Sequence, residues 1–247
     1  MEPVTQQRTF TRIAGLILLF LGVLLGALYV GAAAWGDWEA LQFDTLVAFR
    51  SEKGLSTLRC PVLMTTGETG TVHVTVRNPT DRQITRTVRA YISAGDVMAK
   101  REFMERVVLG PEESRRLSWE ILPQDRVFDL FVLVRVYLSR SYRLPSEDAA
   151  CGVLVLDLPS WRGGVLVSLV VAASLLCMGA GTVLSRRGLH RASERVRWLV
   201  RNGTAMAAIV VAAIAAGFLG WLWLETITLI LLFLLVIITA GQAVYSA

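Results

Sequence analysis

IAGLILLFLGVLLGALYVGAAAWG, residues 13–36, carries no charged side chain. A helix rising about 1.5 Å per residue needs roughly 20 residues to cross a hydrocarbon core of about 30 Å, so this stretch has spanning length. The same absence of charge returns from Gly163 to Ser185, from Asn202 to Leu224, and from Thr226 to the last residue. Four transmembrane α-helices are therefore predicted, over 13–35, 164–184, 204–222 and 226–245. The last two are separated because Thr204–Tyr245 would make about 63 Å of helix, enough for two crossings. The single charge inside that stretch is Glu225, beside Trp221 and Trp223. A charge flanked by tryptophans predicts an interfacial hairpin turn, with no ionisable group in the interior of any span.

Charge is distributed unevenly around these stretches. The chain of 247 residues is formally +5, yet residues 36–163 hold 17 basic and 17 acidic side chains and sum to zero. The excess sits at Arg8 and Arg12 and in the segment 185–201, with Arg186, Arg187, Arg191, Arg195, Arg197 and Arg201 against Glu194. A nucleic-acid footprint needs a basic face on a folded domain, so this pattern argues against nucleic acid as a partner. By the positive-inside rule both basic segments are expected in the cytoplasm, with both termini, and the block between the first two spans outside. The tail 1–12 and the loop 185–201 are the cytoplasmic segments of that scheme. The arginines of the loop are candidate contacts to anionic lipid in the bilayer. Residues 13–35 also have features of a signal peptide, with Ala32-Ala33-Ala34 as a cleavage site. Their apolar run exceeds the usual 7–15 residues, which favours an uncleaved anchor.

Between Leu58 and Pro159 the apolar period is two. Val72, Val74 and Val76 alternate with Thr71, His73 and Thr75 up to the turn Asn78-Pro79-Thr80-Asp81. Val88, Ala90 and Ile92 alternate in the same way, as do Leu117, Trp119 and Ile121 after the turn Gly110-Pro111-Glu112-Glu113. Phe128–Leu138 is apolar on both faces apart from Asp129 and Arg135 and is expected as a central strand, and Cys151–Leu156 as a last one. Strands at this spacing predict an all-β sandwich over 58–159, inserted between the first and second spans. Residues 36–57, with Trp38, Leu41, Thr45, Leu46 and Phe49 at roughly helical spacing, read as an interfacial helix, an extension of the first span or an irregular linker. Cys60 and Cys151 bracket the sandwich and are expected to form a disulfide closing a loop of 91 residues (151 − 60) on the oxidising side. Cys177 lies in an apolar span, where a thiol packs as a small hydrophobe.

The segments TGTVHVTVRNPTD (69–81) and VVLGPEESRRLSWEI (107–121) resemble bacterial immunoglobulin-like sandwiches of the cell-adhesion-related or fibronectin-like kind. The resemblance covers 58–158 and none of the spans. It implies a binding or spacer module and transfers no catalytic residue.

No site of reaction is legible. His73 and His190 have no Cys, His or carboxylate at ligand spacing, so no metal or cofactor is expected. No nucleophile elbow, Walker loop or dinucleotide fingerprint occurs. Gly22 and Gly26 form a GxxxG in the first span and are expected to let helices pack closely. Arginine outnumbers lysine 23 to 2, a bias of GC-rich prokaryotic genomes, which points to a bacterial cytoplasmic membrane. The expectation is a non-enzymatic accessory or scaffold subunit of a membrane complex, its sandwich binding a protein partner. A ligand sensor with an aromatic pocket near Tyr91, Tyr137 or Tyr142, and a transport component, are the alternatives.

Overall fold

The computed structural model describes residues 3–45, 51–96, 99–141, 143–187 and 194–245. Its contacts divide the chain into a helical unit, Met1–Ala34 with Val167–Ala247, and a β unit, Trp35–Leu166. The elements in chain order are α1 (Pro3–Gln42), β1 (Lys53–Gly54), β2 (Leu63–Thr65), β3 (Gly70–Arg77), β4 (Ile84–Ser93), β5 (Lys100–Leu109), β6 (Ser114–Ile121), β7 (Phe131–Leu138) and β8 (Glu147–Leu156). Three helices follow: α2 (Gly163–Arg186), α3 (Glu194–Leu219) and α4 (Leu222–Tyr245).

The β unit is a sandwich of two sheets. One runs β1-β8-β7-β4-β5, with β2 also pairing β8, and the other is the antiparallel pair β3-β6. The period-two residues face one another across the interior. Val72, Val74 and Val76 with Leu117, Trp119 and Ile121 bury one face against Val88, Ala90, Val134, Val136 and Val153. Each such side chain withdrawn from water contributes about 1.5–3 kcal/mol. The turn at Asn78 is built as its sequence implies. The buried Asn78 donates Nδ2 to the carbonyls of Arg82 and Gly110, both at 2.7 Å, and accepts the Thr80 N–H at 3.0 Å.

Several boundaries differ from expectation. The sandwich begins before residue 58, because β1 pairs with Glu147 and Asp148 and Leu55 enters the core. Strand β5 is absent from the periodicity, since KREFMERVVL has no clean alternation to betray it. The strand expected from Phe128 starts at Phe131. Phe128 and Asp129 instead occupy a turn with φ of 55° and 56°, closed by the Leu130 N–H to the Val127 carbonyl at 3.1 Å.

The reason β7 is apolar on both faces is a third layer. Trp35–Gln42, the end of α1, belongs to the β unit and packs on the outer face of the larger sheet. There Ala40 and Phe43 join Tyr91, Phe131 and Leu133 in a second buried cluster. The first part of 36–57 is thus a continuation of the first helix, while residues 46–50 lie outside the described residues. Gly36 and Gly152 make this contact possible. A Cβ on Gly152 would collide with the Gly36 carbonyl, so only glycine lets helix and strand approach this closely. Arg135, 2% exposed, sits at the helix end. Its Nη1 donates to the carbonyls of Leu41 (3.2 Å) and Phe43 (2.6 Å), while Nε and Nη2 donate to Asp148 Oδ2 (3.1 and 2.8 Å).

In the helical unit, Leu19, Val23 and Val30 of α1 pack with Met178 of α2, Met206, Val210 and Ile214 of α3, and Leu232 of α4. The four helices contain apolar stretches long enough to cross a membrane: Thr11–Gln42, Gly163–Arg186, Val196–Leu219 and Leu222–Gln242. Glu225 does not form the interfacial turn expected of it. The chain turns at Gly220 (φ 73°), and Glu225 lies in the first turn of α4 with 3% exposure, inside a candidate span. A carboxylate is favoured there, at the positive end of the helix dipole. The tryptophans flanking it remain exposed. The basic segment 185–201 is also shorter as a loop than expected, because α3 begins at Glu194.

Replacing Arg135 by Ala strands the largely buried Asp148 and leaves the carbonyls of Leu41 and Phe43 without this donor. Thermal melts of the full chain in detergent are expected to report a loss of about 3–5 kcal/mol.

Candidate interaction surface

The strand that the periodicity concealed, β5, has an open edge at the end of the larger sheet. β5 pairs with β4 over ten residues, Lys100 opposite Ser93 through Leu109 opposite Ile84, and its other edge has no strand partner among the described residues. Phe103, Val107 and Leu109 point into the sandwich, together with Glu105, which accepts the Trp119 Nε1–H at 3.1 Å. The opposite face presents Glu102, Met104, Arg106 and Val108, all exposed, with Met104 57% exposed. One end of β5 is anchored. Arg101 pairs with the Asp125 carboxylate and donates to the Glu120 carbonyl at 3.2 Å, while Lys100 pairs with Asp44 and stacks over Tyr91 at 4.7 Å. A strand edge without a strand partner, flanked by exposed apolar side chains, is a template for pairing with another chain.

Other apolar side chains of the β unit are also exposed: Leu158 and Trp161, which follow β8 in the chain, and Phe128, 60% exposed on its left-handed turn. Two consecutive non-glycine residues in that conformation cost on the order of 1–2 kcal/mol each, and such strain is usually retained for a reason.

The other residues singled out by sequence are placed as follows. Cys60 and Cys151 are joined by a disulfide, with a Cα–Cα distance of 6.5 Å, against the sandwich core. Gly22 faces α2, where a Cβ would meet Met178 N at 2.7 Å and where Ser174 Oγ donates to the Gly22 carbonyl at 2.8 Å. A Cβ on Gly26 would meet Ser174 Oγ at 2.7 Å, with Val210 of α3 closer still, so both glycines are covered from within the chain. Tyr91 is buried in the helix–sheet layer and its ring is unavailable to a pocket, and Tyr142 lies outside the described residues. His73 lines a cavity of about 330 Å³ with Arg59, Cys60 and Glu68. Burial and then Arg116 hold its pKa below the ordinary histidine value, so it is neutral at pH 7. Glu68 is occupied structurally, accepting the N–H groups of Thr65 (2.9 Å) and Gly163 (2.7 Å). Among the described residues no cluster of three or more His, Cys, Asp or Glu is arranged to hold a metal. His190 and Arg191 lie outside the described residues, as does the side chain of Arg195.

No protein-family model and no curated protein matches this chain. Among solved structures it is similar to a CARDB domain from Pyrococcus furiosus, solved in complex with di-metal ions, at 15% identity and a TM-score of 0.32. That match covers 42% of this chain and 92% of the domain. It is also similar to a Paenibacillus cycloisomaltooligosaccharide glucanotransferase, at 14% identity and a TM-score of 0.31, covering 44% of this chain and 14% of the enzyme. A β-glucosidase from Listeria innocua matches at 20% identity and a TM-score of 0.28, covering 40% of this chain and 15% of the enzyme.

Cross-linking residues 91 apart restricts the unfolded chain strongly. The double variant Cys60→Ser/Cys151→Ser is expected to lose roughly 4–5 kcal/mol in denaturant unfolding. Dithiothreitol is expected to lower the melting temperature of the parent and leave that of the variant unchanged.

Proposed function

We propose that this chain is a non-enzymatic accessory subunit of a membrane complex, anchored by its four helices and binding a protein partner through its sandwich. The observation that carries the reading is the open edge of β5, where the exposed Met104 and Val108 alternate with Glu102 and Arg106. Unprotected edges invite aggregation, so a long one with exposed apolar side chains is best understood as covered by a partner strand. The alternating charges set register and reject wrong partners.

In this reading the sandwich is extracytoplasmic and both termini are cytoplasmic. Support comes from the placing of the arginines, at 8 and 12 and from 186 to 201, on the two cytoplasmic segments of the scheme. A disulfide in the β unit suits the oxidising side. Trp161, two residues before α2 in the chain, would then lie close to the outer headgroup level, where aromatic side chains are favoured.

A photo-crosslinking amino acid at Met104 is expected to capture a protein in native membranes, with yield reduced at least tenfold by Val108→Asp. The same probe at Ser118, on the far sheet, is expected to capture none. Labelling confined to lipid, or equal at the two positions, would remove the edge from consideration. Sidedness is tested separately with a cysteine at Ser118, expected to react with an impermeant maleimide in intact cells. A cysteine at Arg187 is expected to react only after lysis.

A further inference from the structure

Arg186, in the last turn of α2, and one face of α3 together line a cavity of about 720 Å³ in the helical unit. The α3 face contributes Glu194, Arg197, Trp198, Arg201 and Thr204. Their spacing of three and four residues stacks them along one side of the helix. Three guanidiniums thus border a single cavity with one carboxylate beside them. No ion pair joins any of the three to a carboxylate among the described residues. Arg197 and Arg201, one turn apart on the same face, repel each other unless an anion lies between them. A merely topological role for arginine requires charge on the right side of the membrane and nothing more. It does not require two helices to direct that charge to one cavity.

The level of the cavity identifies its occupant. Arg186 directly follows the uncharged run ending at Ser185, and Arg201 directly precedes the one beginning at Asn202, so the cavity lies where two candidate spans leave their apolar stretches. Trp198, half-buried and amphipathic, suits that depth, and Thr204 Oγ1 already donates to the Arg201 carbonyl at 2.8 Å, leaving its lone pairs but no proton for a ligand. Guanidinium forks match phosphate oxygens in planar, bidentate geometry. We infer that this cavity binds a phosphate-bearing anion, presented as the headgroup of an acidic phospholipid. The inference rests on the helices spanning a membrane. It is independent of which side the sandwich faces and of what the β5 edge binds.

The full chain is reconstituted in phosphatidylcholine nanodiscs, and phosphatidylglycerol is titrated in, with retained lipid counted by native mass spectrometry. Arg186→Gln, Arg197→Gln and Arg201→Gln are each expected to weaken phosphatidylglycerol binding about fivefold. Arg187→Gln removes the same charge next to the cavity without lining it and is expected to leave binding unchanged. Each single variant keeps five of the six arginines, so orientation is preserved, and melting temperatures in phosphatidylcholine alone check folding. Equal weakening by Arg187→Gln and the three cavity variants would overturn the site, since that is the signature of diffuse attraction. Failure of phosphatidylglycerol to bind above phosphatidylcholine, while inorganic phosphate binds with the same arginine dependence, would overturn the lipid and leave a soluble phosphate ligand. Binding of neither would overturn both.

Discussion

The guanidinium of Arg135 joins the larger sheet of the β unit to the helix end that lies on it. It leaves β7, grips Asp148 on β8, and donates to the last carbonyls of α1, which otherwise end without intrahelical partners. A cation at the negative end of a helix dipole is favourable, and its burial is compensated by a carboxylate and by carbonyl acceptors. Everything around it depends on this close docking. The Gly36–Gly152 approach, the packing of Trp35 on Phe131 at 5.4 Å and the seating of Ala40 and Phe43 on Tyr91 all follow from the helix lying against the sheet.

That arrangement also explains where the sandwich is open. The larger sheet is buried by the smaller sheet on one face and by the end of α1 on part of the other. The helix reaches β8, β7 and β4; just beyond it Asp44 pairs with Lys100 of β5, and past Lys100 the outward residues Glu102, Met104, Arg106 and Val108 are exposed. An edge strand with one face in the core and the other in solvent is poised for addition of a partner strand. The helical unit solves a different problem. Its buried apolar residues pack closely over Gly22 and Gly26, where Ser174 donates to the Gly22 carbonyl.

Strands with one buried face could be read directly. Val72, Val74 and Val76 alternate because one sheet face meets the core and the other meets water. β5 could not be read, because its charged residues fall on both faces and Glu105 points inward to a tryptophan N–H. The start of Phe128–Leu138 departs from the strand for a related reason. Exposed Phe128 has the composition of a strand, and its left-handed φ is invisible in a residue type that rarely adopts it. Tryptophans beside a charge are the usual mark of an interfacial turn, whereas the turn falls at Gly220 and Glu225 is buried in the first turn of α4.

The sequence alone determined the four apolar stretches, the neutrality of the intervening block, the period-two strands and the bracketing cysteines. Each of these depends on local composition, on spacing, or on which residues water excludes. Tertiary structure decided what local pattern does not encode. It put the end of α1 on the sheet, it left one edge of β5 open, and it brought Arg186 beside Arg197 and Arg201. Those outcomes depend on which surfaces meet across many residues of chain, and such meetings are settled by packing and by the pairing of buried charge.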